Sequence, residues 1–202
     1  MTEPSAASSA RRRAILLTAG AALVWLVLDL WSKSWAWHNL RPPNHSVAVL
    51  GDWLAWSYSF NPGAAFGLGR KGDFARPLFI VVTLVTVVYM GALVRKLPTE
   101  RRYGFFAIGS VIGGALGNLH DRIVRQDHVP GVGLTHGVVD FIRVCAPWDP
   151  QIPGVSRGTC WPNFNVADIA LVVGVILLIP YLLFHAQTRE TTDNSNSSTP
   201  AA

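Results

Sequence analysis

Two aspartates stand where an acidic side chain is costly. Asp140 lies in the apolar run Val138-Val139-Asp140-Phe141-Ile142, and Asp168 is flanked by Ala167 and Ile169, about one turn into a long apolar stretch that starts near Asn165. Asp168 alone can be read as a helix cap, because carboxylates favour helix N-termini. Taken together, the two aspartates open another reading. Two close carboxylates in a dry site cannot both ionise easily, so they share a proton, and their apparent pKa values belong to the pair. One can then act as base toward a water molecule while the other donates to a carbonyl or leaving amine. Paired aspartates hydrolyse peptide bonds in this way.

Other polar residues fall at neighbouring points of the pattern. Asp29 and Lys33 are four apart, so they share a helix face and can pair. A purely structural ion pair is the simplest account of them. Arg122 comes one turn after Asn118, and its guanidinium suits a carboxylate or a lipid phosphate. Asp121 reads as a residue that caps the helix end or faces water. Rival chemistries find less support. There is no HExxH, the six histidines show no ligand spacing, and there is no GxSxG, so neither a metal nor a cofactor is expected. Cys145 and Cys160 are read as a disulfide closing a loop of about 15 residues, worth roughly 3 kcal/mol in the chain-entropy model. The alternative is two free thiols with no catalytic part.

The elements that must hold these residues belong to a membrane. The chain has 202 residues, 50% of them apolar and only 14% charged, and its mean hydropathy is +0.31. A soluble domain carries roughly 25% charged residues. The net charge of +5 does not point to nucleic acid, because the basic residues sit in short clusters beside long apolar runs. Four stretches are long and apolar enough to cross a bilayer: about 14–35, 75–94, 103–119 and 164–184. The third is short and glycine-rich, with Gly109, Gly113 and Gly117 at four-residue steps and Gly114 beside them, a spacing that lets helices approach closely.

Arg11, Arg12 and Arg13 precede the first span, and Arg95, Lys96, Arg101 and Arg102 crowd the link between the second and third. The positive-inside rule then places both termini in the cytoplasm and the segments 36–74 and 120–163 outside. Trp31, Trp35, Trp37, Trp53, Trp56, Trp148 and Trp161 fall at or beyond the outer surface, and Tyr89, Tyr103 and Tyr181 near the inner one. A cleavable signal peptide is a weaker reading of the first span, since its run is long and Asp29 and Lys33 interrupt the place for cleavage. Residues 1–13 and 187–202 are expected to be disordered cytoplasmic tails around a membrane domain at 14–186.

Residues 54–61 alternate large apolar with small or polar side chains, so they predict a strand with two unlike faces. Val47 to Leu50 can pair with it across a Gly51-Asp52 turn. One face of this small sheet would rest on lipid and the other cover a polar cavity; an ordinary surface hairpin is the alternative. The ionisable residues gather at one end of the spans, with none at a span centre. That suits a site at the outer leaflet better than a path through the bilayer.

Five blocks of the chain, in order, resemble the lipoprotein signal peptidase (signal peptidase II) family: Asp29-Leu-Trp-Ser-Lys33, Asn61-Pro-Gly63-Ala-Ala-Phe66-Gly67, Gly113-Gly-Ala-Leu-Gly-Asn118-Leu-His-Asp121-Arg122, Val138-Val-Asp140-Phe141 and Phe164-Asn165-Val-Ala167-Asp168. The resemblance implies an all-α membrane enzyme of four transmembrane helices with a small extracytoplasmic β-sheet, or cradle, in a bacterial cell membrane. It implies that Asp140 and Asp168 are catalytic and that Asp29, Lys33, Asn61, Gly63, Asn118, Arg122 and Asn165 support them. The implied substrate is a prolipoprotein bearing diacylglycerol on its Cys, cut just before that residue. The implied inhibitor is globomycin. Membrane lipid is the expected surround, and a monomer suffices, since the spans can pack on each other. One departure is the long stretch between Asp140 and Asp168, with Cys145, Cys160, Pro147, Pro150 and Pro153, which bears on any lid over the site. Two rival readings remain. A small transporter would predict mid-membrane charges and repeats, and neither is seen. A non-catalytic lipid- or lipoprotein-binding protein of the same fold would make the paired aspartates incidental.

Overall fold

The glycine spacing of the third apolar stretch decides the packing of the whole chain. In the computed structural model, which describes residues 6–41, 46–63, 75–148, 154 and 156–185, that stretch lies in helix α3 (Arg102–Val124). Gly109, Gly113 and Gly117 face helix α1 (Ala6–Asn39). A Cβ on Gly113 would lie 2.6 Å from the carbonyl oxygen of Ala22 and 2.8 Å from Cβ of Trp25, so only glycine admits the helix there. Gly114, on another face, meets Ala167 and Ala170 of helix α4 (Val166–His185) in the same manner. Helix α2 (Ala75–Lys96) packs on α3 with a looser fit.

Because α3 gives its surface to neighbouring helices, it is buried along most of its length. Among the described residues, three helical stretches are long and apolar enough to cross a membrane: α1, Arg76–Lys96 of α2 and Val166–Phe184 of α4. The chain is therefore a membrane protein of four helices with small antiparallel sheets. It is mostly helical rather than all-α, and α3 is the glycine-rich centre. Hydrogen bonds tie the bundle at intervals: Trp25 Nε1 donates to Ser110 Oγ at 2.9 Å, Thr18 Oγ1 to the Phe105 carbonyl at 3.1 Å, and the buried Tyr181 hydroxyl to the Pro98 carbonyl at 2.7 Å. Arg11 donates to the carbonyls of Val94 and Leu97 at 2.7 and 2.8 Å, so the start of α1 and the end of α2 share one end of the bundle.

The sheet stands at the other end. Strands β1 (Ser46–Leu50) and β2 (Leu54–Asn61) pair antiparallel around a turn in which Gly51 takes φ 51°. The second half of the chain adds a hairpin of β3 (Gln126–Val129) and β4 (Gly133–His136), and strand β5 (Val138–Val144), which pairs with β2 to complete the order β1-β2-β5. Trp56, Tyr58 and Phe60 turn to one face of β2, against Trp35, Trp37, Ala36 and Leu40 at the end of α1. That face thus rests on α1. Aromatic edge-to-face contacts of this kind favour ring centroids about 4.5–7 Å apart, and Trp37 lies 6.2 Å from Tyr58 and 6.1 Å from Phe60.

Two boundaries differ from the sequence expectation. The N-terminal segment expected to be disordered over 1–13 is helical from Ala6 onward, and α1 continues past Trp35 to Asn39 because the sheet covers its far end. Residues 1–5, the expected tail at 187–202 and residues 64–67 of the second sequence block lie outside the described residues.

Candidate active site

The site is assembled from the ends of α1, α3 and α4 and from the β2–β5 pair. In the register of β2 and β5, Asp140 lies opposite Ser59. Side chains on one face of paired strands meet directly and diagonally, which brings Asn61 to Asp140. Its Nδ2 donates to Asp140 Oδ2 at 3.1 Å. Asn61 is held in turn by the backbone N–H of Gly63, which donates to Asn61 Oδ1 at 2.9 Å. Gly63 makes that turn at φ 98°, in the left-handed region that glycine tolerates best.

Asp168 enters from the first turn of α4. The N–H of Asn165 donates to Asp168 Oδ2 at 3.1 Å, and the N–H of Asp168 donates to Asn165 Oδ1 at 3.0 Å. This is a reciprocal capping box, so the cap reading of Asp168 holds. It does not displace the paired reading, because the Asn165 amide also reaches Asp140 Oδ1 at 2.6 Å. One asparagine therefore joins both carboxylates. Asn118 Nδ2 adds a bond to Asp168 Oδ1 at 2.9 Å. Asp140 is 4% exposed, whereas Asp168 is only partly buried. Burial first, and the neighbouring Asp168 charge second, push the Asp140 carboxyl up to about 7, against the smaller opposing effects of Asn61, Asn165 and Lys33.

Under the pair lies a dry charge cluster. Lys33, fully buried, is 2.7 Å from Asp29 Oδ2 and 3.7 Å from Asp121 Oδ2, and donates to Asn118 Oδ1 at 2.8 Å. The ion pair expected of Asp29 and Lys33 is formed, and it does more than brace α1. Asp29 Oδ1 accepts the N–H of Ala167 at 2.8 Å, and Asp121 Oδ2 accepts the N–H of Val139 at 3.1 Å. Each buried carboxylate thus holds the backbone immediately before one of the two site aspartates.

Asp121 does not face water as the sequence suggested. It is fully buried and also accepts from Arg125 Nε at 2.7 Å. The signal for this was present: Asp121 continues the four-residue steps of Gly109, Gly113 and Gly117 toward α1. Arg122 stands beside the site without an ion pair to either aspartate. Its Nη1 donates to the Asn118 carbonyl at 3.2 Å, and its guanidinium lies 4.6 Å from the Phe79 ring centroid. It interacts electrostatically with Asp140, Asp168 and Asp121.

An apolar cavity of about 300 Å3 opens beside Asp168, lined by Trp161, Phe164, Ile169, Val172 and Val173. It faces the side of α4 whose Val172 and Ile176 are exposed, the side a bilayer would cover. Among the described residues, no three His, Cys, Asp or Glu side chains gather as a metal site.

Residues 21–184 match the family model described as signal peptidase (SPase) II. This chain belongs to the signal peptidase II family. A lipoprotein signal peptidase of Mycobacterium tuberculosis is 35% identical over 182 residues, covering 90% of this chain and 77% of the relative. One from Moorella thermoacetica is 37% identical over 165 residues, covering 82% and 91%. A solved bacterial membrane enzyme matches with a TM-score of 0.61 and 28% identity over 85% of this chain and 93% of its own. Membership makes the chain a membrane protease of the aspartic type.

Proposed function

We propose that Asp140 and Asp168 are the reacting pair of a lipoprotein signal peptidase, and that the asparagine bridging their carboxylates, Asn165, is the observation that carries the assignment. As a member of this family, the chain removes signal peptides from prolipoproteins. The finer reading is that the precursor bears diacylglycerol on a Cys and is cut just before it. Asp140 holds the shared proton, in keeping with its drier position. Asp168, which has some exposure, carries the negative charge and acts as base toward the attacking water. Asp140 gives its proton to the scissile carbonyl, Asp168 passes the proton taken from water to the leaving amine, and the collapsing diol returns a proton to Asp140.

Asn61 and Asn165 orient Asp140, Asn118 and Asn165 orient Asp168, and Gly63 fixes Asn61. Asp29, Lys33 and Asp121 hold the backbone below. Arg122 offers a guanidinium near the pair, suited to a substrate carbonyl or lipid phosphate.

Four membrane-spanning helices with both termini cytoplasmic fit the clustered basic residues and the shared end of α1 and α2. The site then lies at the outer leaflet, where the lipid-anchored scissile bond arrives. The apolar cavity next to Asp168 admits an acyl chain sideways from the bilayer. A globomycin-type inhibitor would occupy the same cleft.

The test is cleavage by the purified protein in detergent, using matched precursors with and without diacylglycerol. Cutting of the lipidated precursor alone, just before its Cys, is expected. Binding of that precursor without any cutting would instead support the non-catalytic lipoprotein-binding reading.

A further inference from the structure

The two site aspartates arrive on segments that meet in one short backbone ladder. Residues 159–164 run antiparallel to β5 along the edge that β2 leaves free. The N–H groups of Phe141 and Ile142 donate to the Phe164 carbonyl at 3.0 and 2.8 Å, and the Phe164 N–H donates to the Ile142 carbonyl at 3.1 Å. Further from the site, Trp161 N–H donates to the Val144 carbonyl and Ala146 N–H to the Thr159 carbonyl, each at 2.8 Å. Between these groups the ladder is interrupted. Pro162 has no N–H to give, and Asn163 sends its side-chain amide to the Ser57 carbonyl of β2 at 2.7 Å.

The distal end is closed by a disulfide between Cys145 and Cys160, whose Cα atoms are 3.9 Å apart. Cys145 follows Asp140 on one side of the ladder, and Cys160 precedes Asn165 and Asp168 on the other. Cys160 is exposed, so a reductant in the surrounding water can reach the bond. The helical bundle does not depend on this ladder. Its glycine contacts and its bonds from Trp25, Thr18 and Tyr181 lie elsewhere.

We propose that the Cys145–Cys160 disulfide is a positioning bond of the reaction: it fixes the strand bearing Asp140 against the segment that delivers Asn165 and Asp168, and reducing it slows cleavage while the bundle stays folded. The inference rests on the reading of Asp140 and Asp168 as the reacting pair. Reduction adds two electrons and two protons, breaks the S–S bond and leaves two thiols. A water-soluble phosphine supplies the electrons in the test and takes an oxygen from water to become the phosphine oxide.

Loosening of residues 159–164 has a signature beyond lost stability. Asp140 is faced by Asp168 of α4, Lys33 of α1, Arg122 of α3, Asn61 of β2 and Asn165 ahead of α4. Water entering at the loosened edge, and a more distant Asp168, weaken the two effects that raise the Asp140 carboxyl. The alkaline limb of the cleavage profile then moves to lower pH.

The experiment uses the full chain, purified with its disulfide intact in detergent, and the lipidated precursor. Reduction is expected to lower kcat by about tenfold or more, because small misplacements of reacting groups are costly, with KM changed by less than about twofold. The alkaline limb should move acid, helical circular dichroism should be kept, and reoxidation should restore activity. Cys145→Ser and the double Cys145→Ser/Cys160→Ser variant should match the reduced protein. If they fail to accumulate, reduction of the native protein in place carries the test. Unchanged kcat and pH profile after reduction would overturn the proposal, as would a lowered melting temperature alone. An equal loss on adding phosphine to the double variant would place the effect elsewhere and overturn it too. Asp140→Asn and Asp168→Asn run alongside: full cleavage by either removes the reading on which the inference rests, whereas inactive Asn variants with a redox-indifferent native enzyme remove only the role of the disulfide.

Discussion

The region beneath the two aspartates and the region above them are built on opposite principles. Beneath, Asp29, Lys33 and Asp121 are fully buried, and their bonds reach the backbone N–H of Ala167 and Val139. Above, Trp148 after β5 and Trp161 of the returning segment are 67% and 71% exposed, and the two stretches are held together by a few ladder bonds and one disulfide. Buried charges are costly to desolvate and worth keeping only when fully partnered. An exposed ladder is cheap to make and to open. A pair of carboxylates that must keep its separation is served by a floor of partnered charges and, at the exposed edge, by a disulfide that keeps a short ladder closed.

The largest expected effect comes from breaking the floor. Lys33→Met leaves Asp29 and Asp121 buried without their shared cation, and removing one partner of a buried pair costs about 3–5 kcal/mol. The variant should melt far below the native protein in detergent and lose cleavage. A native melting curve would mean that the cluster is not a floor at all.

Asn165→Ala comes next. It removes the bridge to Asp140 and half of the capping box, and loss of a helix cap costs about 1 kcal/mol. Stability should therefore fall modestly while kcat falls by about a hundredfold, as expected when oriented groups are released. Equal, small losses in both would reduce Asn165 to a cap.

The pH dependence sharpens the same contrast between dry and wet. Asp140, raised to about 7, loses its proton as pH rises through that value, so kcat/KM should fall on the alkaline side near 7. The sign for stability is the same. The folded value lies above the unfolded value of 3.8, so folding takes up a proton between the two, and the contribution is lost as pH rises from 3.8 to about 7. Melting temperatures that rise across that window would contradict the buried environment of Asp140.

The smallest effect is reserved for the exposed edge. Trp148→Ala, at an exposed position, should leave stability within about 0.5 kcal/mol and kcat nearly unchanged.

How much of this was legible in the sequence follows the same division. The alternation at 54–61 announced β2 because its two faces meet different surroundings. The glycine steps announced a closely packed α3. Strand β5 leaves no strand pattern in the sequence because most of it is buried, so its run of apolar residues shows no period of two. The β3–β4 hairpin is silent in the sequence because Gln126-Asp127-His128 and Gly133-Leu134-Thr135 carry little apolar pattern. Its tie to the body, Asp127 with the Tyr58 hydroxyl at 2.5 Å and Arg41 at 3.3 Å, is long-range and leaves no local trace. The individual site residues were visible as polar groups in apolar settings. The backbone bonds of Asp29 and Asp121 were not, since which N–H a buried carboxylate accepts depends on how distant segments pack.

The central claim is that Asp140 and Asp168 act together on the scissile bond. The most direct measurement is single-turnover cleavage of a lipidated precursor by Asp140→Asn and by Asp168→Asn, each shown by melting and precursor binding to be folded and occupied. The account predicts that both lose cleavage by about three orders of magnitude or more. Near-native turnover by either variant would contradict it.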